Sequence, residues 1–131
     1  PMVLLASLPI MFGIGMILFT NNTCDIEKDI PAQRKTISVV LGRKKAPNCY
    51  HAAVLVWIVL IVALIGVFYP TGMPLVMIMV LAAFPVLRAI TNNPLNQKTR
   101  DAAMSQIVML NVIFGVFYCL SIASSAFIGW V

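Results

Sequence analysis

Charge is what this chain has least of. Only 10% of its 131 residues are Asp, Glu, Lys or Arg, against about 25% in an ordinary soluble domain. Acids are the scarcest, four in all, and three of them (Asp25, Glu27, Asp29) fall in one short stretch. Histidine occurs once, as His51, and Cys24, Cys49 and Cys119 stand apart with no CxxC pair. That leaves neither a Cys/His metal centre nor a disulfide framework, and the thiols are read as unpaired and reduced. The short alternating segments of a membrane β-barrel are missing. A signal peptide would need a basic segment before its apolar core, and none stands before the first apolar run, which is therefore expected to be a span. The chain opens at Pro1, already inside that run and with no initiator Met, and residue 1 is read as a point within a longer protein.

What is present is hydrocarbon. Hydrophobic residues make up 61% of the chain, and the mean hydropathy is +0.99. Runs this long and apolar must face lipid or one another. The expected class is an all-α membrane protein with four spans, at about residues 1–20, 52–69, 74–90 and 107–130. Polar loops are expected at 21–51 and 91–106. Pro9, Gly13 and Gly15 mark the first span as one that bends or packs closely. Pro85 predicts a kink near the end of the third, where Arg88 is placed to snorkel. Tyr69 and Trp130 suit interfaces.

The loops carry the charge, and the turn Pro70 to Pro74 has none. With four spans, both polar loops fall on one side of the bilayer. The positive-inside rule puts that side in the cytoplasm, in the cell (inner) membrane. The net charge of +5 is explained by this topology, so nucleic acid is rejected as a partner.

The stretch Asn21 to Lys45 is the main polar island. Asn21, Asp25 and Asp29 are spaced i, i+4, i+8, within about 40° of one helical face if the first helix continues through them. Oxygen donors of this kind suit a hard cation. Mg²⁺ takes one or two carboxylates, keeps waters and fills its shell with substrate phosphate. Two carboxylates four residues apart also repel unless something cationic lies between them. Arg34, Lys35 and Arg43 follow and suit the remaining oxygens of a diphosphate. Each part alone has a plainer explanation: DxxxD as a solvated turn, Arg43 to Lys45 as a topology signal, His51 as a satisfied interfacial histidine. A transporter segment is the competing class, but the span centres carry no charge.

The whole string is more specific than its parts. NNxxDxxxD directly after a span, then RKT, a short apolar stretch and LGRK, resembles the second aspartate-rich motif of the UbiA-type intramembrane aromatic prenyltransferases. Within them it looks most like the branch acting on 1,4-dihydroxy-2-naphthoate in menaquinone synthesis. The match rests on Asn21, Asn22, Asp25, Asp29, Lys35, Thr36, Leu41, Gly42 and Arg43. Pro94, Leu95, Asn96 and Thr99 look like that family's last cytoplasmic loop.

The resemblance implies the C-terminal four helices of a nine-helix bundle, with Asp25 and Asp29 as metal ligands for Mg²⁺. It implies that Asn21, Asn22, Arg34, Lys35 and Arg43 hold the diphosphate of a polyprenyl diphosphate. Asp25, Asp29 and Lys35 would be catalytic, and the acceptor would be aromatic, with dihydroxynaphthoate indicated. The first aspartate-rich motif of that family is absent from this segment, so the segment alone is expected to be inactive. Gln33 stands where the family usually has Gly. That position is either one needing positive φ, strained with Gln, or simply helical.

Overall fold

The computed structural model describes residues 2–128, and all regular structure among them is helical. Helix α1 is Met2–Cys24, α2 is the single turn Ile26–Asp29, α3 is Ile37–Phe68, α4 is Met73–Asn92 and α5 is Arg100–Ile128. Short 3₁₀ turns, Pro70–Gly72 and Gln97–Thr99, join α3 to α4 and α4 to α5. Four helices are long and apolar enough to cross a membrane. Trp130 lies outside the described residues.

Helix α1 packs against both α3 and α5, while α4 leans mainly on α5. Consecutive helices α3 and α4 therefore touch less than α1 and α5, which are far apart in sequence. The seam along α1 is built from small residues and backbone. Trp57 Nε1 donates to the Pro9 carbonyl at 2.8 Å, Asn111 Nδ2 to the Gly13 carbonyl at 3.2 Å, and Tyr118 Oη to the Ala6 carbonyl at 2.9 Å. Ala6, Pro9 and Gly13 share one helical face. Gly13 is required there, because a Cβ would sit 2.2 Å from Asn111 Oδ1 and 2.6 Å from the Trp57 ring. The Trp57 ring meets Phe114 edge-on, with centroids 4.8 Å apart. The cavity beside this seam is only about 40 Å³, room for a water but not for a substrate.

Two expected loops prove mostly helical. The first helix keeps going past Thr20 to Cys24, and the helix carrying the second span begins at Ile37, well before Ala52. Ile37 to Leu41 forms a helical turn because Thr36 caps it, its Oγ1 accepting from Val39 N at 3.3 Å. Gly42 breaks the run with φ 72 and ψ 165, a conformation essentially reserved for glycine. Helix resumes at Arg43 and continues through Pro47. A helix of this length exceeds a hydrocarbon core of about 30 Å at about 1.5 Å per residue, so its first turns project from the membrane. At the other polar segment, α4 continues to Asn92 and α5 starts at Arg100, leaving only a short connection. Pro85 lies inside α4, which remains helical beyond it.

Candidate functional site

The polar segments meet at one end of the bundle. Helix α1 is interrupted at Asp25 (φ −101, ψ 13), and α2 follows at once. Asp25 N still donates to Asn21 O at 3.1 Å, and Asp29 N to Asp25 O at 2.9 Å. The i, i+4, i+8 spacing of Asn21, Asp25 and Asp29 therefore survives the interruption. Buried Thr23 and Ser38 share a hydrogen bond of 3.0 Å, and Thr20 Oγ1 donates to Tyr50 Oη at 3.0 Å. These bonds hold the end of α1 to the start of α3.

The chain leaves α2 through a Schellman-type turn. Arg34 N donates to Asp29 O at 3.0 Å and Gln33 N to Ile30 O at 3.1 Å, with Gln33 at φ 54. This is the paired 6→1 and 5→2 pattern, whose left-handed position is normally glycine. Of the two possibilities left by the sequence, the position is the one needing positive φ, and Gln33 carries the strain.

Three arginine–carboxylate pairs gather here. Arg43 grips Glu27 with two nitrogens, Nε to Oε1 at 2.7 Å and NH2 to Oε2, while its NH1 donates to the Leu95 carbonyl at 2.6 Å. Arg43 so ties α2 to the α4–α5 connection. The same guanidinium holds the Glu27 carboxyl below its ordinary range. Arg34 NH1 lies 3.4 Å from Asp29 Oδ1, and the Asp29 side chain is 4% exposed. From the first turn of α5, Arg100 reaches back to α1. Its Nε and NH2 donate to Asn21 Oδ1 at 3.1 and 2.6 Å, and its Nε lies 3.2 Å from Asp25 Oδ2.

The α4–α5 connection is shaped to receive Arg43. Leu95 is buried at φ 51, a left-handed conformation uncommon outside glycine. Asn93 Oδ1 accepts from Leu95 N at 2.9 Å, and Asn96 forms a reciprocal capping box with Thr99. Between this connection and α2 lies an open groove of about 330 Å³ lined by Glu27, Asn96, Gln97 and Lys98.

Of the residues singled out from the sequence, Asn21 and Asp25 converge on one cation, the Arg100 guanidinium. Asp29 is paired separately with Arg34. Asn22 is half-buried, Lys35 is exposed, and Arg43 is engaged with Glu27 and Leu95. Sequence reasoning missed Glu27 and Arg100 as members of the cluster. The signal for Arg100 was the Asn21–Asp25 pair itself, which demands a positive partner, but that partner lies 79 residues away. Among the described residues, no three His, Cys, Asp or Glu side chains form a metal-binding group. Cys24, Cys49 and Cys119 are free thiols.

Residues 1–112 match the model of the UbiA prenyltransferase family. The chain is also 27% identical over 126 residues to 1,4-dihydroxy-2-naphthoate octaprenyltransferase of Bacillus subtilis (strain 168). That alignment covers 95% of this chain and 40% of the relative, so the chain spans well under half the length of the curated relative it matches. No solved structure gives a significant match.

Proposed function

The chain belongs to the UbiA prenyltransferase family, and on that premise we propose that its protein transfers a polyprenyl group from a polyprenyl diphosphate to an aromatic acceptor. The acceptor in this reading is 1,4-dihydroxy-2-naphthoate, the substrate class named for the Bacillus subtilis relative, and the polar end of the bundle faces the cytoplasm. The observation that carries the reading is the convergence of Asn21 Oδ1 and Asp25 Oδ2 on one cation at the end of an apolar bundle.

Hard oxygen donors already arranged around a positive group fit Mg²⁺, and a site with few protein carboxylates leaves coordination positions for substrate phosphate. Asp25 and Asp29 are the carboxylates assigned to it, with Asn21 or Asn22 beside them. Bound there, Mg²⁺ supplies neutralisation of the charge that grows on the departing diphosphate. Arg34 and Lys35, both exposed, add positive charge for oxygens the metal leaves free. Arg43 steadies the site through Glu27 and the Leu95 carbonyl, and two of its five N–H donors remain for a phosphate. Scission of the allylic carbon–oxygen bond leaves a carbocation. An electron-rich ring carbon of the acceptor attacks it, and in the naphthoate case the carboxylate is lost as the new bond forms.

The test is prenyl transfer in membranes containing the intact enzyme of which this chain is a part, with excess Mg²⁺. Asp25→Ala and Asp29→Ala are each expected to lower turnover about 100-fold or more, since the metal clamp is worth several kcal/mol. Near-normal turnover in both variants rejects the metal assignment. Naphthoate, hydroxybenzoate and haem-type acceptors supplied side by side identify the acceptor.

A further inference from the structure

Arg100 has the geometry of a stand-in cation. It belongs to α5, yet its guanidinium occupies the point where Asn21 Oδ1 and Asp25 Oδ2 converge, at 2.6 and 3.2 Å. Its side chain is 42% exposed, whereas that of Asp25 is 15% exposed. The guanidinium is thus bonded to Asn21 and Asp25 while its side chain stays partly open to solvent. Two of its five N–H donors bond Asn21, and the rest remain for another acceptor.

We propose that Arg100 is an internal counter-cation that competes with the metal for Asn21 and Asp25 and transfers its fork to the diphosphate when metal and substrate arrive together. The proposal rests on the prenyltransferase reading above. A lone carboxylate beside a carboxamide is stabilised by one positive neighbour, and a second cation at the same oxygens is repelled by the first. A divalent ion arriving alone must therefore displace the guanidinium. A divalent ion arriving with a diphosphate brings acceptors to which the displaced guanidinium can turn, and a planar fork suits phosphate oxygens. Metal and diphosphate thus bind with positive coupling, and coupling of this kind is reciprocal. The arrangement keeps the site from holding bare metal firmly and favours loading of metal and substrate together.

The prediction has two signs, which a purely structural role for Arg100 does not produce. Binding of Mn²⁺ alone to the purified intact enzyme of which this chain is a part is read by electron paramagnetic resonance, and binding of inorganic pyrophosphate in saturating Mn²⁺ by calorimetry. Arg100→Ala is expected to tighten Mn²⁺ alone several-fold and to weaken pyrophosphate roughly tenfold, the size of one charge-assisted contact. Arg100→Gln keeps an N–H donor for Asn21, guards against loss of fold, and should move both affinities in the same directions. Arg100→Lys should restore part of the pyrophosphate affinity. Weakening of both ligands in the Gln variant, or no change in either, overturns the proposal while leaving the prenyltransferase reading in place. Failure of the unmodified protein to bind Mn²⁺ with or without pyrophosphate overturns both.

Discussion

The two ends of α1 hold their neighbours by different chemistry. Toward its start, Trp57, Asn111 and Tyr118 donate to the carbonyls of Pro9, Gly13 and Ala6. Every group in that seam is neutral, and each partner is backbone. Toward its end, arginines hold side-chain oxygens of Asn21, Asp25, Glu27 and Asp29, in ion pairs that are partly open to water. Neutral bonds to backbone suit a region where an unsatisfied polar group costs several kcal/mol and nothing needs to move. Ionic pairs with unused donors suit a region that must exchange one partner for another. The first end is a frame and the second is the candidate site.

Substitutions at each end test that contrast. The largest effect on stability belongs to the frame. Trp57→Ala removes the Pro9 bond and the Phe114 contact and is expected to cost about 3 kcal/mol or more, measured as a lower unfolding temperature in detergent. Gly13→Val should do comparable damage by forcing Asn111 and Trp57 away. An unfolding temperature unchanged in both would erase the distinction. Next comes Gly42→Ala, which forces a side chain into a backbone region reserved for glycine and should cost about 1–3 kcal/mol. Because Arg43 follows directly, this variant should also slow prenyl transfer more than Trp57→Phe does.

A smaller effect with the opposite sign is expected at Gln33. Replacing it with Gly relieves the left-handed strain at φ 54 and should stabilise the protein by about 1 kcal/mol. A loss of stability would mean that the Gln33 side chain contributes more than its backbone costs. The smallest effect concerns Glu27. Arg43 lowers its pKa from the ordinary 4.5, so its contribution is fully present above that value and is lost as pH falls through the lowered one. Its side chain is 56% exposed, and solvent keeps the contribution modest. Acid unfolding of Glu27→Gln should be less steep below about pH 4.5 than that of the unmodified protein. Identical acid profiles would show that the pair adds nothing.

Much of this was readable beforehand. Uncharged runs of about 20 residues announce spans, because lipid tolerates little else. The clustering of charge in two segments placed them together, and the Arg43–Leu95 and Arg100–Asn21 bonds join them. The NNxxDxxxD string pointed to the family. The helical state of residues 37–51 was not readable, because an apolar stretch too short to span resembles a surface loop until its Thr36 cap and Gly42 break are seen. The left-handed Leu95 was hidden as well, since a buried leucine gives no turn signal. Arg100 was hidden for a deeper reason. Helical periodicity reports neighbours three or four residues away, and the cation answering Asp25 comes from the other end of the chain. The sequence alone leads to a metal at Asp25 and Asp29 with the basic residues Arg34, Lys35 and Arg43 beside it, and to no arginine from α5.

The Arg100 contact also sets a birth order. A ribosome delivers Asp25 and Asp29 well before the start of α5, so Asp25 waits without the partner the finished protein gives it until Arg100 emerges. A chain released just before Arg100 would keep the entire aspartate string and the Arg43 ties, yet lack the Arg100 contacts that join α5 to Asn21 and Asp25.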